Sequence, residues 1–194
     1  MSHPPVPNPA VLPDPHLWTV DQYDRMFEVG ILGEEDRVEL LFGQILKYNA
    51  ISSFHAACVV NIQTVFFPKL LGNYSWRSEN PVILPDYSEP EPDFVVLDYR
   101  ADNYAAGHPT AENVHLLIEV SDHTLQRDLK IKLPLYALAD ICEYWVINLV
   151  DRQIERFTQP NTATGQYGQH EVFAETAHLS HPTVGKLSVL DILP

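Results

Sequence analysis

Two acids and one lysine stand where charge is costly. Asp93 follows Pro92 and opens the apolar run Phe94-Val95-Val96-Leu97, and Glu119 lies between Leu116-Leu117-Ile118 and Val120. An unpaired carboxylate in such surroundings costs on the order of several kcal/mol or stays protonated. Each acid therefore calls for a cation, a metal ion or a hydrogen-bond network. Lys132 is a candidate. At about 100° per residue, Leu125, Leu129, Lys132 and Tyr136 form one stripe of a helix, with Lys130 and Pro134 on the solvent side. Asp128, one turn before Lys132, is placed to steady it. Two readings stay open on pattern alone. The trio can be a fold-specific ion pair, with Asp93 capping a turn, or a catalytic site. Two carboxylates also suggest glycoside hydrolysis, but that chemistry gives the lysine no role.

The elements that must position these groups read as a mixed α/β chain. Thr19 and Gln22 have capping-box spacing and open a short helix with Tyr23, Met26, Phe27 and Ile31 on one face. Val38–Tyr48 reads as a hairpin turning near Phe42-Gly43. A second helix starts at Ser52 or Ser53 and runs to Pro68, which kinks or ends it. Trp76–Leu84 is expected as an edge strand, and Phe94–Leu97 and Leu116–Ile118 as strands buried on both faces. Thr124–Ala139 reads as a helix in which Pro134 causes a bend. Glu143–Leu149 and Gln153–Thr158 form a hairpin around Val150-Asp151, and His170–Ala174 adds a weaker strand. Strand, long helix, strand with buried central strands indicates helices packed on a mixed sheet.

Bulk properties narrow the class. The chain has 194 residues, 45% hydrophobic and 20% charged, which suits one domain with a sizeable core. Six of its 16 prolines fall in MSHPPVPNPAVLPDPH, so residues 1–17 are expected as an extended arm and residues 18–194 as the single domain. That start lacks a signal peptide's basic and apolar regions, and no run reaches the ~18 apolar residues of a membrane span. A cytoplasmic location follows as an expectation. Cys58 and Cys142 sit in apolar runs and read as two reduced core thiols. The net charge of −14, with only 12 Lys and Arg, counts against a general nucleic-acid binder. His178-xx-His181 has metal-like spacing, but no partner ligands lie nearby and chance explains it better. Tyr144 and Trp145 read as core.

Five short motifs in order carry a resemblance. They are Glu39-Leu40-Leu41-x-Gly43, Pro92-Asp93-Phe94-Val95, Ile118-Glu119-Val120-Ser121, Asp128-xxx-Lys132-xxx-Tyr136 and Glu143-Tyr144-Trp145-Val146-Ile147. From about residue 19 to the C-terminus, the chain resembles the Uma family of restriction endonucleases, within the PD-(D/E)XK nuclease superfamily. The resemblance implies a restriction-endonuclease-like α/β fold, with a mixed central sheet flanked by helices and an additional N-terminal helix and hairpin. It implies Mg²⁺-dependent hydrolysis of phosphodiester bonds in DNA, with Mn²⁺ as a substitute.

Site roles follow by the same resemblance. Asp93 and Glu119 would ligate the metal, the Val120 carbonyl would be a third ligand, and Glu39 would ligate or orient a second metal. Lys132 would orient the attacking water or stabilise the transition state. In the wider superfamily the lysine lies two residues after the glutamate, where this chain has Ser121. The nearer family places it on the following helix, as Lys132. His55 matches a histidine at the start of the second helix in that family, with a phosphate contact and a structural role both open. A homodimer would supply two sites for two strands. DNA binding is expected to be weak and salt-sensitive, with the least negative surface near the cleft at Arg127 and Lys132. The rival from another class is a non-catalytic interaction or regulatory module that keeps the fold.

Overall fold

The computed structural model describes residues 15–47, 51–84 and 86–194. The arm assigned to residues 1–17 thus lies outside the described residues except for its last three. Helix α1 (Val20–Glu28) starts at the Thr19–Gln22 capping box and buries Val20 and Tyr23. It stops sooner than the apolar spacing suggests. Gly30 takes φ +74°, and its N–H and that of Ile31 close on the Phe27 and Met26 carbonyls, a glycine-dependent helix end. Ile31 is therefore off the helix and 70% exposed, not on its buried face.

Strands β1 (Val38–Leu41) and β2 (Gln44–Lys47) form an antiparallel hairpin. Phe42 and Gly43 both have positive φ at its turn, the geometry of a two-residue hairpin loop. A Cβ on Gly43 would stand 2.7 Å from the Leu17 Cβ, so only glycine fits. All four residues of β1 are buried, Glu39 included.

Helix α2 (Ser53–Leu70) begins where Ser52 Oγ accepts the His55 N–H, and Pro68 falls inside its last turn. It buries His55, Cys58, Val59, Ile62, Phe66 and Leu70, a stripe at helical spacing. The main sheet has six strands in the order β3 (Tyr74–Arg77), β4 (Phe94–Asp98), β5 (Val114–Ser121), β6 (Glu143–Asn148), β7 (Gln153–Asn161) and β8 (Gln166–Ala174). Neighbours are antiparallel except the parallel pair β5–β6. That pair needs a crossover. It is supplied by α3 (Leu125–Arg127), a π-helical turn (Asp128–Lys132) and α4 (Leu133–Leu138). A small hairpin of β9 (His178–His181) and β10 (Gly185–Ser188) closes the chain.

Strand alternation sorts the core into two layers. Phe94, Val96, Leu116, Ile118, Val120, Trp145 and Ile147 pack with α2 and the C-terminal hairpin. Val95, Leu97, Leu117, Tyr144 and Val146 pack with Leu135, Tyr136 and Ile141 on the other face. By that parity Glu119 belongs to the second face, under the helix that carries Lys132.

Three details differ from the sequence expectations. The edge strand is β3, shorter and earlier than Trp76–Leu84, because Glu79 adopts φ +52° and Pro81 follows. Cys142 is exposed while Cys58 is buried; Cys142 lies one residue before β6, outside the strand. The crossover helix is not uniform α-helix. Its middle widens into a π-turn just before Pro134, whose missing N–H leaves the carbonyl four residues back without an α-helical partner.

Candidate active site

Asp93 lies one residue before the Phe94–Ile118 pairing of β4 and β5. Its Oδ2 accepts the Val120 N–H at 2.6 Å. Its Oδ1 stands 3.0 Å from His55 Nε2. The His55 backbone is in turn fixed by Ser52, whose hydroxyl donates to Asp122 Oδ2 at 2.7 Å. One chain of contacts thus runs from the start of α2 to the end of β5.

Glu119, 4% exposed, is held from the other side. Lys132 Nζ donates to its Oε1 at 2.9 Å, and the Tyr136 hydroxyl donates to the same oxygen at 2.6 Å. Lys132 Nζ also lies 3.0 Å from Glu39 Oε2. The lysine therefore bridges β1 and β5, elements far apart in sequence. Glu39 Oε1 is buried without a hydrogen-bond partner. Asp128, which the sequence assigned to steadying Lys132, instead accepts from the Ser121 and Thr124 hydroxyls at 2.7 and 2.6 Å. It anchors the start of the crossover helix and acts on Lys132 by charge alone.

These residues face one cleft of about 260 Å³. It brings together Glu39, Asp93, Glu119, Val120, Lys132 and His55, together with Arg37, Glu79, Glu91, Asp122 and Arg127. Sequence reading missed Glu79, Glu91 and Asp122; the last could have been sought as the residue three after Glu119. The lining holds seven carboxylates against three Lys and Arg. This runs against the expectation that the surface is least negative there.

Burial and charge shift several groups. For Lys132, burial works to lower the pKa, but Glu119, Glu39 and Asp128 outweigh it and hold the ammonium charged. Burial pushes the Glu119 carboxyl well up, and Asp93, Asp128 and Glu39 add to that push against the opposing Lys132. For His55, burial lowers the pKa, yet the bond and charge of Asp93, with Asp122 and Glu79, raise it overall.

A divalent cation is the group the resemblance implies, and the donor set suits one in part. The carboxylates and the Val120 carbonyl are hard oxygen donors, and Mg²⁺ commonly uses one or two carboxylates while keeping several waters. Both hydrogen bonds to Glu119 fall on Oε1. Among the described residues, however, no three or more His, Cys, Asp or Glu side chains converge as a ready metal group. Glu39 and Glu119 are turned toward Lys132. His178 and His181 form no site either. On strand β9 they alternate, His178 exposed and His181 buried, and His181 Nε2 lies 3.4 Å from Glu143.

The Uma2 family model, described as "Putative restriction endonuclease", matches residues 20–192. The chain belongs to the Uma2 family. No curated protein sequence matches this Uma2 chain. Among solved structures it is similar to one titled a putative nuclease of DUF820 from Anabaena variabilis ATCC 29413, at 18% identity and a TM-score of 0.61. That match covers 90% of this chain and 96% of the other. The likeness establishes the fold: helices around a mixed sheet, as in that structure. Family membership and fold together support a nuclease. No helix among the described residues is long and apolar enough to cross a membrane.

Proposed function

We propose that this chain is a Mg²⁺-dependent endonuclease that hydrolyses phosphodiester bonds in DNA, with Mn²⁺ able to substitute. The observation that carries the reading is Lys132 Nζ, buried and held within 3.0 Å of both Glu119 and Glu39 in the cleft that Asp93 lines. A lysine and several acids on one cleft are more than packing requires.

Asp93, Glu119 and the Val120 carbonyl are the groups that would hold the metal, with Glu39 as an outer ligand. When bound, the cation lowers the pKa of a coordinated water and offsets charge on the scissile phosphate. Asp93 is kept in place by the Val120 N–H and His55. Glu119 is aimed by Lys132 and Tyr136. The Lys132 ammonium supplies a fixed positive donor for the attacking water or for charge developing on phosphate oxygens. His55 positions Asp93, a role that leaves it no need of a phosphate contact.

We extend the proposal to a cytoplasmic homodimer in which each subunit cuts one strand, binding DNA weakly and losing affinity with salt. The test is cleavage of single-stranded, duplex and branched DNA with Mg²⁺ or Mn²⁺, beside Asp93→Asn and Glu119→Gln. Metal-dependent cleavage lost in both variants is the expected result. The second reading, a non-catalytic module on the same fold, is favoured by the acid-rich cleft and by the lack, among the described residues, of a ready metal group. No cleavage and no binding of Mg²⁺ or Mn²⁺ at millimolar concentration would put that reading first.

A further inference from the structure

The proposed reaction leaves one problem. A phosphodiester must enter a cleft lined by seven carboxylates. A single divalent ion offsets only part of that charge, and the cleft's other cations are unequally available. Lys132 is committed to two carboxylates within 3.0 Å. His55 is committed to Asp93. Arg37 has interactions of its own.

Arg127 differs. Its backbone is fixed at the end of α3, with the N–H bonded to the Thr124 carbonyl at 2.7 Å. Its head group is loosely held. Nη1 reaches the Lys47 carbonyl at 3.5 Å and Glu39 Oε1 at 3.6 Å, both at the edge of bonding range. Nε is buried with no hydrogen-bond partner. The side chain is 21% exposed and faces the cleft. A guanidinium carries five N–H donors, stays charged at any working pH, and matches phosphate oxygens two at a time. A buried donor without an acceptor is costly unless something fills it.

We propose that Arg127 is the residue that binds the substrate phosphodiester, giving up its weak contacts to Glu39 and Lys47 for a two-point grip on phosphate oxygens. The assignment rests on the nuclease reading. It makes Arg127 a binding and positioning group: it recognises backbone and not sequence. The bland alternative is that Arg127 only offsets the Glu39 charge, in which case its loss shows in stability and not in substrate binding.

The test uses the full chain with Arg127→Gln, close in shape, and Arg127→Lys, which keeps the charge but not the fork. Binding of labelled single-stranded and duplex oligonucleotides is followed by anisotropy in Ca²⁺ across a salt series, and cleavage in Mg²⁺. For Arg127→Gln we expect affinity to fall about tenfold, the salt slope to drop by about one, and KM to rise while kcat changes little. Arg127→Lys should recover the salt slope but not the full affinity, and both variants should melt within a few degrees of wild type. Wild-type affinity and KM in Arg127→Gln, beside a wild type that cleaves, would overturn the Arg127 assignment alone. So would a lowered melting point with KM unchanged. A wild type that neither binds nor cleaves any nucleic acid would overturn the nuclease reading and this assignment together.

Discussion

Lys132 carries more of the site than any other side chain, because its one charge is shared by Glu39 and Glu119. Breaking a buried ion pair by removing one partner costs about 3–5 kcal/mol, since the other charge is left uncompensated. Lys132→Met leaves two. We therefore expect it to be destabilised by at least that range in urea unfolding at pH 7, and partly rescued by adding Glu39→Gln. Cleavage by the folded fraction should fall by roughly 100-fold or more, on the scale of losing one transition-state donor. Cleavage at the wild-type rate would remove the lysine from the mechanism. Tyr136→Phe, which deletes only the hydroxyl on Glu119 Oε1, should cost about 1 kcal/mol.

At the scale of elements, the site stands where three helix and strand ends meet. The start of α2 delivers His55, the end of β5 delivers Glu119 and Val120, and the π-turn of the crossover delivers Lys132. Ser52 ties the first two together by capping α2 and bonding Asp122. Ser52→Ala should lower stability by about 1 kcal/mol, the usual cost of a lost N-cap, or about 2–4 °C in Tm for a chain of this size. It should also loosen His55 against Asp93. A thermal melt measures the first effect, and the chemical shift of the His55 ring the second. An unchanged melt would show that water replaces the cap without loss.

Across the whole molecule, charge sets how stability answers pH. Burial, then the neighbouring Asp24 and Glu91, push the Glu89 carboxyl from its ordinary range up to about 8. The folded state thus holds a proton there that the unfolded chain releases near pH 4.5. The stabilisation is complete below the unfolded pKa and is lost as pH rises through the folded one. Unfolding midpoints should therefore decline between about pH 5 and 9 more steeply than in Glu89→Gln, which should melt higher than wild type at pH 9. Parallel curves for the two proteins would exclude Glu89 as the source. Net charge acts on binding as well: with −14 on the chain, DNA affinity should drop sharply between about 50 and 200 mM salt. Affinity unchanged over that range would contradict a phosphate-based contact.

Local order alone made much of this legible. Continuous apolar runs marked β4 and β5, β6 and β7 read as a hairpin, and a period-3.6 stripe placed Lys132 on the same inward face as Tyr136, because side-chain direction follows directly from backbone repeat. An acid inside each buried run was visible for the same reason. What local order could not set is which charge meets which. That Lys132 serves Glu39 as well as Glu119, that Asp128 turns to Ser121 and Thr124, and that His55 holds Asp93 depend on how β1, β5 and α2 stack. Nor could it show that Cys142 falls just outside a strand, that Gly30 ends α1 before Ile31, or that the cleft collects seven carboxylates. Periodicity fixes the direction of a side chain relative to its own element. The partner at the end of that direction is chosen by long-range packing, where buried charges must find one another or remain uncompensated.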